Sequence, residues 1–378
     1  MKNCLAKSEN GLTVLRLKKP KMSLTVHYLD NYTYDYYDDN YDYSPLCEIN
    51  EAIYFGEIFT QVLYSLIFIF TLIGNILVLW ILIRYEKTKT ITDIFILNLV
   101  ASDLIFGCSL PFWTVDHTHG WIFGKAMCKI MSSIFFISYY SGILLLTLMT
   151  IDRYLVVVYP LFAVRSRRLC YGVVACLVVW CISFLATIPE MIFSDVLVKW
   201  DESLACESIY PMESEQMWQG MQCFQQNLLF FLIPFVVIVY CYSRILNTVV
   251  KCRARKKFKT VKVIFCIVTV FFVCWAPYNV VIFLLSLSDL NILTVVSCDV
   301  RSHLIFAFYI CRDIAYFHCC LNPFFYALVG TKFRKHLKKV IYIYFPFQNF
   351  NRQSKHSLRS RYLSSSYEHS NSSGFNTI

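Results

Sequence analysis

Seven separate stretches of this 378-residue chain are long and apolar enough to cross a lipid bilayer as helices. Crossing the ~30 Å hydrocarbon core takes roughly 20 apolar residues in helical form. Near-continuous runs of Leu, Ile, Val, Phe and Cys meet that length over 57–84, 91–117, 125–158, 169–193, 220–249, 258–287 and 302–328. Their ends are good to about four residues. Lipid offers no partner to an open backbone group, so the expected fold is an all-α membrane protein, a seven-helix bundle. Composition agrees: 57% of residues are hydrophobic and only 16% charged, too little charge to cover a soluble domain of this size. Four segments follow: a tail over 1–56, the bundle over 57–328, a short surface helix over 329–340 and a second tail over 341–378.

Basic residues orient the bundle. Arg84, Lys87 and Lys89, then Arg165, Arg167 and Arg168, then the cluster from Lys251 to Lys259 lie in alternate connections, and Lys332 to Lys339 follow the last span. The other connections are acidic, with Asp195, Asp201, Glu202, Glu207, Glu213, Glu215, Asp289 and Asp299. Basic loops stay in the cytoplasm, so the N-terminus is outside and the C-terminus inside. The net charge of +10 is thereby a topology signal and does not point to nucleic acid.

The two tails have opposite characters. Residues 27–43 read HYLDNYTYDYYDDNYDY, with Tyr32, Tyr34, Tyr36, Tyr37, Tyr41 and Tyr43 set among aspartates. Such a segment buries no core and suits long-range capture of a basic protein ligand, the more so if its tyrosines are sulfated. Asn31-Tyr32-Thr33 is a glycosylation triplet on the outer side. Residues 1–21 are basic and lack a signal-peptide core, which makes Met22 a candidate translation start. The C-terminal tail holds Ser354, Ser357, Ser360, Ser364, Ser365, Ser366, Ser370, Ser372 and Ser373, where phosphorylation would build an acidic strip. Lys332 to Val340 places Phe333 and Leu337 four apart among basic residues, the pattern of a helix lying on the membrane.

Most of the 17 cysteines fall inside spans as small apolar residues. Cys47, Cys128, Cys206 and Cys298 lie on the oxidising outer side and allow three pairings. Cys319-Cys320 is mid-span, where a metal site is not expected. Polar groups within spans are costly and face the bundle interior. Asp103, Asn75, Asn98, His318 and Asn322 are such groups. Asp103 is either part of an interhelical hydrogen-bond network or the seat of a monovalent cation, with Na+ the candidate and no other cofactor or metal expected. Asp152-Arg153-Tyr154 closes the third span at its cytoplasmic end, where Arg153 can pair with its neighbour or swing out to a partner. Pro111, Pro189, Pro234, Pro277 and Pro323 each remove a helical hydrogen bond and give kinks on which a two-state bundle can turn.

Taken together these residues resemble the rhodopsin-like G-protein-coupled receptors over nearly all of 57–340. The order is Gly74-Asn75, Asn98-Leu99 with Asp103, Cys128, Asp152-Arg153-Tyr154, Trp180, Pro234 with Tyr242, Cys274-Trp275-Ala276-Pro277, and Asn322-Pro323-Phe324-Phe325-Tyr326. Each motif is weak alone; all of them in order are specific. Ser109-Leu110-Pro111-Phe112-Trp113, Trp121-Ile122-Phe123-Gly124 and His318-Cys319-Cys320-Leu321-Asn322-Pro323 are similar to chemokine receptors within that class. The resemblance implies disulfides Cys128–Cys206 and Cys47–Cys298. It implies a ligand pocket lined by Tyr64, Trp113, Phe135, Glu190, Tyr278, Arg312 and Asp313, entered by the N-terminus of a small basic chemokine. It implies a switch through Trp275, Pro277, Arg153, Tyr242, Asn322, Pro323 and Tyr326. The implied partners are an inhibitory-class heterotrimeric G protein, with arrestin and receptor kinases at the serine-rich tail, and cell migration is the implied readout. Many chemokine receptors carry a ligand-binding glutamate where Arg312 stands, next to Asp313. A scavenging receptor without G-protein coupling is the rival, and such receptors often alter the Asp-Arg-Tyr motif that is intact here. A channel or transporter would show repeats or paired broken helices, and no nucleophile–base pair suggests an enzyme.

Overall fold

The computed structural model describes residues 8–9, 12–13, 50–86, 90–161, 169–199, 203–252, 258–289, 298–329 and 331–344. Seven helices long and apolar enough to cross a membrane dominate these residues. They are α1 (Asn50–Ile81), α2 (Ile91–His119), α3 (Gly124–Val158), α4 (Leu169–Phe193), α5, α6 (Phe258–Asp289) and α7 (Cys298–Val329). The fifth runs as Glu215–Phe224, a π-helical segment Gln225–Leu232 and Ile233–Cys252, all called α5. The widened turns end next to Pro234, which has no N–H to continue the regular ladder. An eighth helix, α8 (Thr331–Tyr344), follows the bundle, and a hairpin of β1 (Ser194–Val198) and β2 (Leu204–Ser208) bridges α4 and α5.

The spans match the apolar runs, with three shifts. Helix α1 starts at Asn50, ahead of the expected 57, α5 starts at Glu215, ahead of 220, and α8 continues to Tyr344, past 340. Helical backbone needs no apolar side chains, so a helix can outlast the lipid-crossing run inside it.

Helix α3 is the axis of the bundle. In its most apolar window 61% of residues are buried, against 22% in α4. Residues such as Val174, Leu177, Phe184 and Leu185 of α4 face outward, as lipid contact requires. Helix α3 packs on α2, α4 and α5, while α7 closes the ring against α1 and α6.

Small and polar residues set the close approaches. A Cβ on Gly74 would come within 2.9 Å of the Pro323 ring, so glycine lets α1 press against the α7 kink. Trp180 Nε1 donates to Asn98 Oδ1 at 2.9 Å, tying α4 to α2. Thr90 caps α2: its Oγ1 accepts from Asp93 N at 3.2 Å, and its own N–H donates to Asp93 Oδ2 at 2.9 Å.

Candidate functional site

The outer end of the bundle carries a covalent and hydrogen-bonded rim. Cys128 at the head of α3 is disulfide-bonded to Cys206 of β2. Trp121 is fully buried beneath the hairpin; its N–H donates to Leu204 O at 2.7 Å and its indole Nε1 to Gly124 O at 2.8 Å. Gly120 has φ +75°, and a Cβ there would sit 2.7 Å from Leu204 O, so only glycine brings the turn this close. Lys125 pairs with Asp195 of β1, and Lys129 Nζ donates to Met191 O and Ile192 O at the end of α4.

Beneath this rim two polar clusters face each other across aromatic rings. On the α1/α7 side, Arg312 Nη2 donates to Thr60 Oγ1 at 3.0 Å, and Thr60 Oγ1 donates to Asp313 Oδ2 at 3.0 Å. Arg312 Nε lies 3.4 Å from Asp313 Oδ1, and the guanidinium lies 5.0–5.6 Å from the rings of Tyr64, Phe308 and Tyr309. This cation is held by an anion, a hydroxyl and three π faces at once. On the α4/α5 side, Glu190 accepts from Ser194, Ser208 and Gln222. Between the clusters, Phe135 contacts Trp275 at 6.2 Å and Tyr316 at 5.6 Å, and Tyr278 meets Trp275 at 5.7 Å.

Trp275 forms the floor. Its ring lies 4.2 Å from that of Tyr139 and 5.3 Å from the His318 imidazole. Beneath it Asp103 is buried, accepting from Asn322 Nδ2 at 2.8 Å, with His318 Nε2 3.9 Å from its other oxygen. Asn75 donates to Thr71 O and Cys319 O, which ties α1 to the α7 kink.

At the cytoplasmic end, Arg153 Nη2 bonds Asp152 Oδ2 at 2.7 Å, and Thr92 of α2 donates to the same carboxylate at 3.3 Å. Tyr242 of α5 and Tyr326 of α7 are buried, and among the described residues their hydroxyls have no hydrogen-bond partner. Buried hydroxyls left without partners are rare in native structures.

One molecule therefore joins two outer polar clusters, an aromatic floor, a buried carboxylate and a paired cytoplasmic arginine across α2, α3, α6 and α7. Residues 74–326 match the family of seven-transmembrane receptors of the rhodopsin type. Human chemokine XC receptor 1 is 43% identical over 82% of this chain and 88% of its own length. Human C-C chemokine receptor type 4 is 39% identical over 75% and 78%, and bovine CX3C chemokine receptor 1 is 36% identical over 88% and 94%. The chain belongs to the chemokine receptors of the rhodopsin family. It is a multi-pass plasma-membrane receptor and not an enzyme. Phe95-Ile96-Leu97-Asn98-Leu99, Ile310-Cys311-Arg312-Asp313 and Val329-Gly330-Thr331-Lys332-Phe333-Arg334 look like the XC, or lymphotactin, receptor, in line with the first of these similarities.

For a chemokine receptor, the residues expected in the pocket are distributed as follows. Tyr64, Arg312 and Asp313 share the α1/α7 side, and Phe135 of α3 and Tyr278 of α6 lie between the two clusters. Trp113 packs on Trp121 under the rim, and Glu190 sits in the opposite half. The Cys128–Cys206 bridge is present. Cys47, Asn31 and the tail tyrosines Tyr32, Tyr34, Tyr36, Tyr37, Tyr41 and Tyr43 lie outside the described residues, as do the serines from 354 on, and of Cys298 only the backbone is described. Sequence reasoning missed Thr60, Tyr139, Gln222, Gln226, Asn279 and Tyr316. Asn279 donates to Trp275 O at 2.9 Å and to Tyr139 OH at 3.2 Å, so it braces the floor. The polar run Gln225-Gln226-Asn227 inside an apolar span and Asn279, one turn after Trp275, were legible signals. Thr60 carried none.

Proposed function

We propose that this receptor binds a small basic chemokine, lymphotactin-like members first among them, and activates an inhibitory-class G protein that drives cell migration. The acidic tyrosine segment over 27–43 meets the ligand first, through long-range attraction. The ligand's N-terminus then enters between the Arg312–Asp313 and Glu190 clusters and displaces the aromatic floor at Trp275. Only a ligand that binds the open bundle more tightly can shift the equilibrium that way. Helix α6, kinked at Pro277, then swings out. Arg153 leaves Asp152, and Tyr242 and Tyr326 find the partners they lack. Arrestin and receptor kinases act on the serine-rich tail, and α8 rests on lipid.

The observation that carries this reading is the Asp152–Arg153 pair at 2.7 Å, a latch on the same helix whose other end Cys128 pins to the ligand-facing hairpin. A monovalent cation at Asp103 belongs to the same proposal. Asp103 and Asn322 are in contact, and the buried Asn75 Oδ1 has no hydrogen-bond partner among the described residues, so it is an acceptor that such an ion would use. The test is G-protein activation in cells exposed to a chemokine panel. One chemokine should activate the inhibitory class, and Arg153→Ala should abolish that signal while surface binding persists. Uptake of ligand with no G-protein signal would make the protein a scavenger instead.

A further inference from the structure

At the cytoplasmic end, the foot of α1 and helix α8 meet in an aromatic clasp that the signalling switch does not use. Beyond Ile81 the chain continues as a π-helical turn, Leu82–Glu86. Tyr85 of that turn stacks on the His336 ring of α8, with centroids 5.1 Å apart and planes 20° from parallel, and Trp80 meets Tyr85 edge-on at 5.6 Å. Lys339 Nζ lies 5.7 Å from the Tyr85 centroid. Towards the bundle α8 buries Phe333, whose ring lies 6.3 Å from that of Tyr326. Packing thus fixes which face of α8 is left outward.

That outward face is cationic throughout. Arg334, Lys335, Lys338 and Lys339 are exposed, and at the helical period they fall within an arc of about 140°. Helix α8 contains no Asp or Glu, and among the described residues none of the four pairs with a carboxylate. Like charges three and four positions apart on a helix repel, so the face is unfavourable until an anion meets it. Arg84, exposed on the turn, adds a cation from a second element, one residue from the ring that Lys339 overlies.

We propose that Arg84 and the Arg334–Lys339 face of α8 form a binding site for a polyphosphoinositide headgroup of the inner leaflet. The site rests on α8 lying at that leaflet, where basic clusters beside a span meet anionic lipid. The chemistry of the patch selects the class. Phosphatidylserine carries one net charge and meets one cation at a time. Two phosphomonoesters on one inositol ring, each carrying about −1.5 to −2 at neutral pH, span several cations at once and relieve their repulsion. Arginine adds bidentate phosphate contacts, and the lysines add point charges. The acyl chains stay in the bilayer and hold the headgroup at the height of α8, an anchor that a soluble polyphosphate lacks. A headgroup so placed bridges the turn after α1 to the helix that follows α7.

The test uses the full-length receptor in phosphatidylcholine nanodiscs, doped with phosphatidylinositol 4,5-bisphosphate or with phosphatidylserine at equal total charge. Native mass spectrometry of the released receptor should show one inositol lipid retained and no serine lipid. Lys335→Gln/Lys338→Gln should weaken that retention about 30-fold, at roughly 1 kcal/mol per basic residue, with the thermal midpoint in phosphatidylcholine unchanged. Tyr85→Ala should weaken it as well by freeing Arg84 from α8, whereas Tyr85→Phe keeps the stacked ring and the binding. Equal retention of phosphatidylserine by the wild-type protein, which needs no variant, would overturn the site. Wild-type retention in the double lysine variant or in Tyr85→Ala would overturn it too, and so would full displacement by equimolar inositol 1,4,5-trisphosphate, the mark of a soluble-phosphate site. Hydrogen exchange separates this from the broader reading. If α8 is protected in every lipid but the two anionic lipids behave alike, only the specific site fails. If α8 is unprotected in all of them, its contact with the membrane fails as well.

Discussion

At the residue scale, function rests on a few polar groups whose surroundings leave them one arrangement. Gly74 faces the rigid ring of Pro323 at 2.9 Å, whereas a Cβ on Gly142 would meet Phe271 at a comfortable 3.8 Å. Gly74→Ala should therefore cost about 1–3 kcal/mol, the usual penalty of overpacking, and lower the melting temperature in detergent, while Gly142→Ala is tolerated. Glu207, in the hairpin, is a second case. Burial pushes its carboxyl above the ordinary range, the pull of Lys199 only partly offsets this, and its Oε2 has no hydrogen-bond partner among the described residues. An acid whose folded value is raised loses stability on ionising, so its penalty grows as pH rises from the unfolded value through the folded one. Glu207→Gln should then stabilise the receptor more at pH 8 than at pH 4, measured as the difference in thermal midpoint between the two proteins.

At the scale of the element, helices are built to be bent and stopped in chosen places. Pro111, Pro189, Pro277 and Pro323 all fall inside helices, and the π-helical Gln225–Leu232 re-aims α5 so that Gln222 reaches Glu190 and Gln225 reaches Ala186 O. The start of α2 is the opposite device, a firm end. Its capping box satisfies backbone donors beside the loop where Thr92 contacts Asp152. Thr90→Ala should cost about 1 kcal/mol. It should also raise hydrogen exchange at the first turn of α2, with the outer half of the bundle unchanged.

On the scale of the whole molecule, charge is separated between two ends of a neutral bundle. The acidic 27–43 segment is outside, the basic loops and the face of α8 inside. Deleting residues 27–43 should slow ligand association and flatten its dependence on salt, with dissociation nearly unchanged, because rim charge acts chiefly on encounter. Surface plasmon resonance on captured receptor at two ionic strengths reads this directly. Loss of binding through faster dissociation instead would place the tail inside the final contact.

Seven spans, their orientation and the outer cysteines follow from the sequence, because lipid enforces long apolar runs and positive loops irrespective of packing. The motifs around Asp103, Asp152, Trp275 and Asn322 were legible too, each as an exceptional polar or aromatic residue in an apolar helix. Which of those residues meet was not. Thr60 binds Arg312 across 252 positions of chain, and Asn322 reaches Asp103 across 219. Such pairs are set by how helices rotate and approach one another, and that depends on small contacts such as Gly74 on Pro323 that no single segment encodes.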